Sequence, residues 1–168
     1  MEFERKKNRL GMDEYFGRKR FFFTTCCRGR QAIFRNVAIA SRIVASLREQ
    51  ADRCDFGVHA YCVMPDHVHI LLEGKSAASN LVRFVKAFKQ ATSYACRAHA
   101  RGTLWEKSFY DHILRPRDSI GGVAAYIRMK PVRKGICNDP RKYLFSGSLS
   151  LPWSESQPAE MWQPPWRK

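Results

Sequence analysis

The sequence predicts an α+β sandwich of the split β-α-β, ferredoxin-like arrangement, with an additional C-terminal helix that carries a tyrosine. Three observations lead there. Strand-type and helix-type apolar spacings follow one another in the order β-α-β-β-α-β, with one more helix behind them. Two strand-like runs are separated only by Pro65-Asp66, which reads as a hairpin. Small polar residues able to cap a helix, Ser79 or Asn80 and Asp118 or Ser119, stand directly before two of the helical stretches.

The elements can be justified in order. Residues 1–19 are polar and mostly charged, and read as a basic N-terminal arm. Phe21 to Cys27 is a β-favouring run ended by the turn-like Arg28-Gly29-Arg30. From Phe34 to about Arg53, Val37, Ala40, Val44 and Leu47 recur at helical spacings of three and four. Phe56 to Met64 and His67 to Glu73 are the hairpin strands. A long helix then runs to about Ala100, with Leu81, Phe84, Val85, Phe88 and Ala95 as its apolar stripe. Ser108 to Leu114 is a short strand, followed by Arg115-Pro116-Arg117. The last helix buries Ile120, Val123, Ala124 and Ile127. Pro131 ends it, because the residue before proline is pushed out of the α region. Residues 20–146 form the domain. Residues 147–168 form a Pro- and Trp-rich tail with no regular period, which is either mobile or docked through its tryptophans.

The 168 residues suffice for one domain, and 45% apolar content suffices for a core. Thirty Lys and Arg against 15 Asp and Glu leave a net charge of +15, which points to an anionic partner and first to nucleic acid. No apolar run is long enough to span a bilayer, and no secretory signal is evident, so a membrane role is not expected and a cytoplasmic, nucleoid-associated location is. The six cysteines include no CxxC pair and read as free thiols. Candidate phosphate contacts are Arg83, Lys86, Lys89 and Arg97 on the long helix, then Arg115, Arg117, Arg128, Arg133 and Lys134 around the last one. Residues 115–142 hold eight Lys or Arg against Asp118 and Asp139.

The sharpest chemistry lies in Met64-Pro65-Asp66-His67-Val68-His69-Ile70-Leu71-Leu72. Residues i and i+2 of a strand share a face, so His67 and His69 project together while Val68, Ile70 and Leu72 point into a core. Two imidazoles so placed are natural ligands for one divalent metal. On this reading they lie on the exposed side of the strand. A second segment, Tyr126-Ile127-Arg128-Met129-Lys130-Pro131-Val132-Arg133-Lys134-Gly135, closes the last helix, with Tyr126 at the edge of its buried stripe.

Together these segments resemble the REP-associated tyrosine transposases, a group of the single-tyrosine HUH, IS200-like transposases. Phe22-Phe23-Thr24-Thr25 with Gly29-Arg30, Ala60-Tyr61-Cys62-Val63, and the block from Trp105 to Arg115 fall in the same order as that family's other blocks. The resemblance spans about residues 20–146. It implies a single-stranded DNA endonuclease and strand transferase acting at repeated palindromes that fold into hairpins. His67 and His69 would hold Mg²⁺ or Mn²⁺, and Tyr126 would attack the phosphate to give a 5′-phosphotyrosine. Tyr110 is a rival nucleophile, in a block where the family does not place one. Relatives act as dimers or monomers, so the resemblance leaves the oligomeric state open.

One position departs from the pattern. Four residues after the tyrosine the family carries Asn or Gln as a third ligand, and this chain has Lys130. A charged ammonium has no lone pair to give a metal. Either another group such as His112 completes the coordination, or Lys130 contacts the phosphate, or cleavage is lost and hairpin binding alone remains. On the ligand-loss argument Lys130→Asn should raise metal affinity and cleavage. The competing function is thus a catalytically weak hairpin DNA-binding protein. A metal hydrolase of small substrates would leave the charge unexplained.

Overall fold

The computed structural model describes residues 11–150 and 162–165. A single sheet organises them, with strand order β4-β1-β3-β2-β5 and every neighbouring pair antiparallel. Its strands are β1 Arg20–Cys26, β2 Phe56–Met64, β3 His67–Gly74, β4 Tyr110–Ile113 and β5 Ser146–Gly147. The first four are the split β-α-β pattern the sequence predicts, and β2 has the boundaries expected. β5, two residues against the β2 edge, has too short a run to be read from the sequence.

Helices α1 Val37–Arg53 and α2 Leu81–Ala95 cover one face of the sheet. Phe21, Phe23, Val58, Val63, Val68, Ile70 and Leu72 meet Ile39, Ile43, Leu47, Phe84 and Phe88 there. Asn36 starts α1, its side chain accepting from the N–H groups of Ala38 and Ile39. Asn80, rather than Ser79, caps α2 by accepting from Arg83 N. α2 stops at Ala95, earlier than the expected Ala100, because the chain turns at Cys96, whose carbonyl takes the N–H of both His99 and Ala100.

Helix α3, Ile120–Arg128, covers the opposite face, and a short helix α4, Lys130–Arg133, follows it after Met129. Ser119 caps α3 through Gly122 N at 2.9 Å. Pro131 stands in the first turn of α4, where a missing N–H costs nothing. Phe22, Ala60, Cys62, Met64 and Leu71 pack here against Val123, Ala124, Tyr126 and Ile127. The sheet therefore has two cores, and the runs that stay buried at every residue of β2 reflect that double cover.

Strand β2 serves both cores through a bulge. Val58 pairs with Leu72 but Ala60 pairs with Leu71, so His59 has no opposite number. Before the bulge the even-numbered residues Phe56 and Val58 face α1 and α2. After it the even-numbered Ala60, Cys62 and Met64 face α3.

The segment before β1 is only partly the free arm the composition suggests. Tyr15 is buried in the first core, and Gly17 N donates to Ser79 O at 2.9 Å. Gly74 permits this approach, since a Cβ there would sit 2.0 Å from Gly17 O. Residues 1–10 of the expected arm, and 151–161 and 166–168 of the tail, lie outside the described residues. The part of the tail that is described is docked. Trp162 packs into the second core and donates from Nε1 to Asp118 Oδ1 at 3.0 Å.

Candidate active site

The α3 side of the sheet carries a lattice of side chains set by register. His67 and His69 share this face with Leu71. On β1, Thr24 lies opposite His69 and Cys26 opposite His67. On β4, His112 lies beside Phe22 and Tyr110 beside Thr24. The two histidines do project together as expected, but the face is not exposed. His67 retains 8% and His69 6% of its accessible surface.

Their Nε2 atoms converge to 3.0 Å. Each ring is held from behind. His67 Nδ1 lies 2.5 Å from Asp66 Oδ1, and since a carboxylate only accepts, Nδ1–H donates and Nε2 keeps its lone pair. His69 Nδ1 lies 2.7 Å from Thr24 Oγ1, a hydroxyl that accepts as readily as it donates. Phe22 stacks on His69 at 5.7 Å between centroids. Burial holds His67 below the ordinary histidine range, outweighing the opposite pull of Asp66. Burial also holds His69 well below it, helped by the charges of His67, Lys130 and Arg30. Both imidazoles are thus neutral, the form that ligates.

This donor set fits a divalent ion. Two nitrogens 3.0 Å apart match adjacent positions on an octahedral ion with bonds of about 2.1 Å. Outer partners that fix tautomer and ring direction are what metal-binding histidines require. Among the described residues no cluster of three or more His, Cys, Asp or Glu is placed to hold a metal. The remaining ligands of such an ion would be water and phosphate oxygens.

Tyr126 reaches the same region from α3. It is buried, at 4% exposure, rather than at a stripe's edge. Its ring meets Phe22 at 6.3 Å and Trp162 at 5.3 Å, both edge-on. Phe22 therefore touches both His69 and Tyr126. Lys130 Nζ donates to Tyr126 Oη at 2.8 Å and stands 4.3 Å from the ring centroid. The Arg133 guanidinium lies 4.9 Å from that centroid. One turn of helix carries both groups across the α3–α4 junction.

Several expected contacts are corrected. His112 is engaged by Asp118, at 3.1 Å from its Oδ2, and its ring packs on Trp162 at 5.8 Å. It is a neighbour of Phe22 and not a member of the histidine pair. Burial pushes the Asp118 carboxyl up, but hydrogen bonds from Arg115 N, Trp162 and His112 outweigh it and hold the group below its usual range. Lys89 is not presented to a phosphate. Its Nζ donates to the carbonyls of Glu106 and Ser108, at 2.8 and 3.0 Å, and burial brings it down to about 8. Arg83, Lys86 and Arg97 are exposed, but α2 places them on the layer opposite the histidines, with Arg97 lying 4.0 Å over Tyr94. Arg115 and Arg117 are exposed before the N-terminal end of α3, while Arg133 and Lys134 are exposed at its Tyr126 end. Arg128 is half-buried. Tyr110 is 49% exposed on the β4 edge strand, two strands from His69.

Sequence reasoning missed Thr24, Asp66 as a histidine partner, and Arg30. Arg30 Nε pairs with Asp66 Oδ2 at 3.1 Å, and its Nη1 donates to Cys26 Sγ at 2.8 Å. It takes this position with φ +55°, next to Gly29 at +62°. A left-handed arginine is a strain that only surrounding contacts sustain.

Residues 19–130 match the family described as Transposase IS200 like. The chain belongs to that family. Two proteins of Haemophilus influenzae are similar to it. One, uncharacterized, is 20% identical over 159 residues, covering 76% of this chain and 88% of its own. The other, assigned as a REP-associated tyrosine transposase, is 21% identical over 126 residues, covering 68% and 71%. Among solved structures, a REP-associated tyrosine transposase bound to a REP hairpin superposes with TM-score 0.72 at 19% identity, over 84% of this chain and 82% of that one. A Deinococcus radiodurans protein assigned as a transposase gives 0.50 at 21% identity, over 81% and 92%. The transposase fold thus extends through the sheet and helices that build the site. No helix among the described residues is long and apolar enough to cross a membrane.

Proposed function

We propose that this IS200-like transposase cleaves and rejoins single-stranded DNA at hairpin-forming palindromes, through a 5′-phosphotyrosine on Tyr126. The observation that carries this is the meeting, on one covered face, of two neutral imidazoles with Nε2 atoms 3.0 Å apart and a tyrosine whose hydroxyl accepts from an ammonium. His67 and His69 would hold Mg²⁺ or Mn²⁺, and the chemistry such an ion supplies when bound is neutralisation of charge on the phosphate oxygens. Asp66 and Thr24 keep the ring nitrogens aimed. Tyr126 supplies the nucleophile, and the covalent link preserves the phosphodiester for rejoining. Arg30, Arg133 and Lys134 offer cationic contacts around this region, and hairpin DNA supplies the unpaired phosphate that a helix-borne tyrosine needs. Because Tyr126 is buried, a phosphodiester reaches it only when covering side chains move aside.

The test is incubation with labelled hairpin oligonucleotides and Mn²⁺, followed by a search for a covalent protein–DNA band that EDTA prevents. The second reading, a hairpin-binding protein with little or no cleavage, is favoured by Lys130 in place of a neutral ligand. Tight, salt-sensitive binding without an adduct on every hairpin tried would select it.

A further inference from the structure

We propose that Lys130 is a further catalytic residue: its ammonium holds the attacking oxygen of Tyr126 and stabilises it as phenolate. This rests on the reading of Tyr126 as the nucleophile. The geometry shows why Lys130 need not act as a metal ligand or a phosphate contact. Among the described residues its Nζ has one hydrogen-bond acceptor, Tyr126 Oη at 2.8 Å, and it enters no ion pair. It is half-buried, so this bond is partly shielded from water. Its position is built. α3 ends at Arg128, and Lys130 opens α4, whose turn is stabilised by Pro131 at its start. The 126–130 spacing then closes one helical turn between the two side chains. Arg133, 4.9 Å from the ring centroid, adds a second positive charge beside the same phenol.

Charge-assisted hydrogen bonds are roughly twice as strong as neutral ones, and the gain grows as the acceptor becomes an anion. Lys130 therefore favours the oxygen more as phenolate than as phenol. In the forward step the Oη–P bond forms as the P–O3′ bond breaks. The Oη proton passes to solvent, and the departing 3′-oxygen takes one up to become a hydroxyl. Lys130 keeps its own protons throughout. In rejoining, a 3′-hydroxyl attacks, and the same ammonium receives the departing phenolate oxygen.

Two measurements test this. The first needs no DNA or metal: ultraviolet tyrosinate absorbance against pH for wild type and Lys130→Met, each with its own Tyr126→Phe counterpart subtracted. The Tyr126 signal should appear at higher pH in Lys130→Met and return toward wild type in Lys130→Arg. An equal onset in all three overturns the proposal. Methionine keeps an unbranched stem over the ring, and circular dichroism confirms folding. The second is adduct formation against pH at saturating Mn²⁺. Lys130→Met should be on the order of 100-fold slower near neutral pH, with the deficit narrowing at high pH, while Lys130→Arg keeps most of the rate. Faster cleavage by Lys130→Asn overturns the proposal in favour of a neutral ligand at this position. Wild-type adduct with no effect of Lys130→Met overturns this proposal alone. Absence of any wild-type adduct, with the absorbance shift present, overturns the nucleophile reading and the catalytic claim with it.

Discussion

Replacing Tyr126 by Phe separates chemistry from packing. The substitution deletes one oxygen and leaves the ring among Phe22, Trp162 and the cations of Lys130 and Arg133. What is lost is the bond from Lys130 Nζ at 2.8 Å. A hydrogen bond involving a charged group is worth about 1.5–3 kcal/mol when it must stay dry. Lys130 is only half-buried, so its ammonium can turn to water, and the expected loss is nearer 1 kcal/mol. For a domain of this size that is a fall of about 2–4 °C in Tm. Tyr126→Ala also removes the ring and should cost about 3–5 kcal/mol. The assay pairs urea unfolding with denaturing electrophoresis of hairpin reactions. Tyr126→Phe should unfold nearly as wild type and form no adduct. An adduct that survives means the nucleophile is another residue, with the exposed Tyr110 next in line. A stability loss as large as that of Tyr126→Ala means the hydroxyl was structural.

His69→Ala should abolish Mn²⁺ binding measured by calorimetry and cost about 2 kcal/mol, since it strands Thr24 and uncovers Phe22. Unchanged metal affinity would dismiss the histidine pair as ligands. Lys89→Met should lower stability by about 1–2 kcal/mol while leaving the salt slope of DNA binding unchanged, because Lys89 ties down the Glu106–Ser108 segment. A shallower salt slope would return Lys89 to the DNA contacts. Burial depresses both site histidines, so between their folded values and about 6.5 the unfolded chain binds more protons. Their contribution to stability is present above about pH 6.5 and lost as pH falls through the folded values. Thermal unfolding from pH 7.5 to 5 should show this decline, and His69→Gln should show less of it. Equal slopes would assign the decline elsewhere.

Periodicity made much of this architecture legible. The hairpin broken by Pro65-Asp66 and the shared face of His67 and His69 follow from local rules. The stop expected at Pro131 does not hold: α3 already ends at Arg128, and Lys130, the residue before the proline, opens α4, whose first turn accepts Pro131. The depth of the site does not follow from such rules, because strand alternation states which residues share a face but not what covers it. A clue was present in Leu71, a large apolar residue of the same parity as the histidines. The excess of positive charge likewise put Lys89 among the candidate phosphate contacts. It could not tell a lysine facing water from one that ties down the carbonyls of a distant loop. Arg30 and Thr24 were invisible for a related reason: their roles exist only through cross-strand register and a left-handed turn.

The unmatched residue in β2 has a consequence for how this chain tolerates length changes. Phe56 and Val58 belong to one core, and Ala60, Cys62 and Met64 to the other, because His59 stands outside the alternation: Val58 and Ala60 pair with the consecutive Leu72 and Leu71. Deleting His59 would therefore leave the strand in step, with every later side chain on its present face, and would remove only the contact of His59 Nε2 with Glu73 Oε2. One residue inserted in the regular stretch, between Tyr61 and Cys62, would instead act on the strand as a frameshift acts on a message. Everything downstream of it would be read on the wrong face, and Val63 would be thrust at α3 in place of the small Cys62. Such an insertion would disrupt the packing beneath Tyr126 without altering any side chain of the site, whereas single-residue changes in exposed turns such as Arg101-Gly102 disturb no alternation.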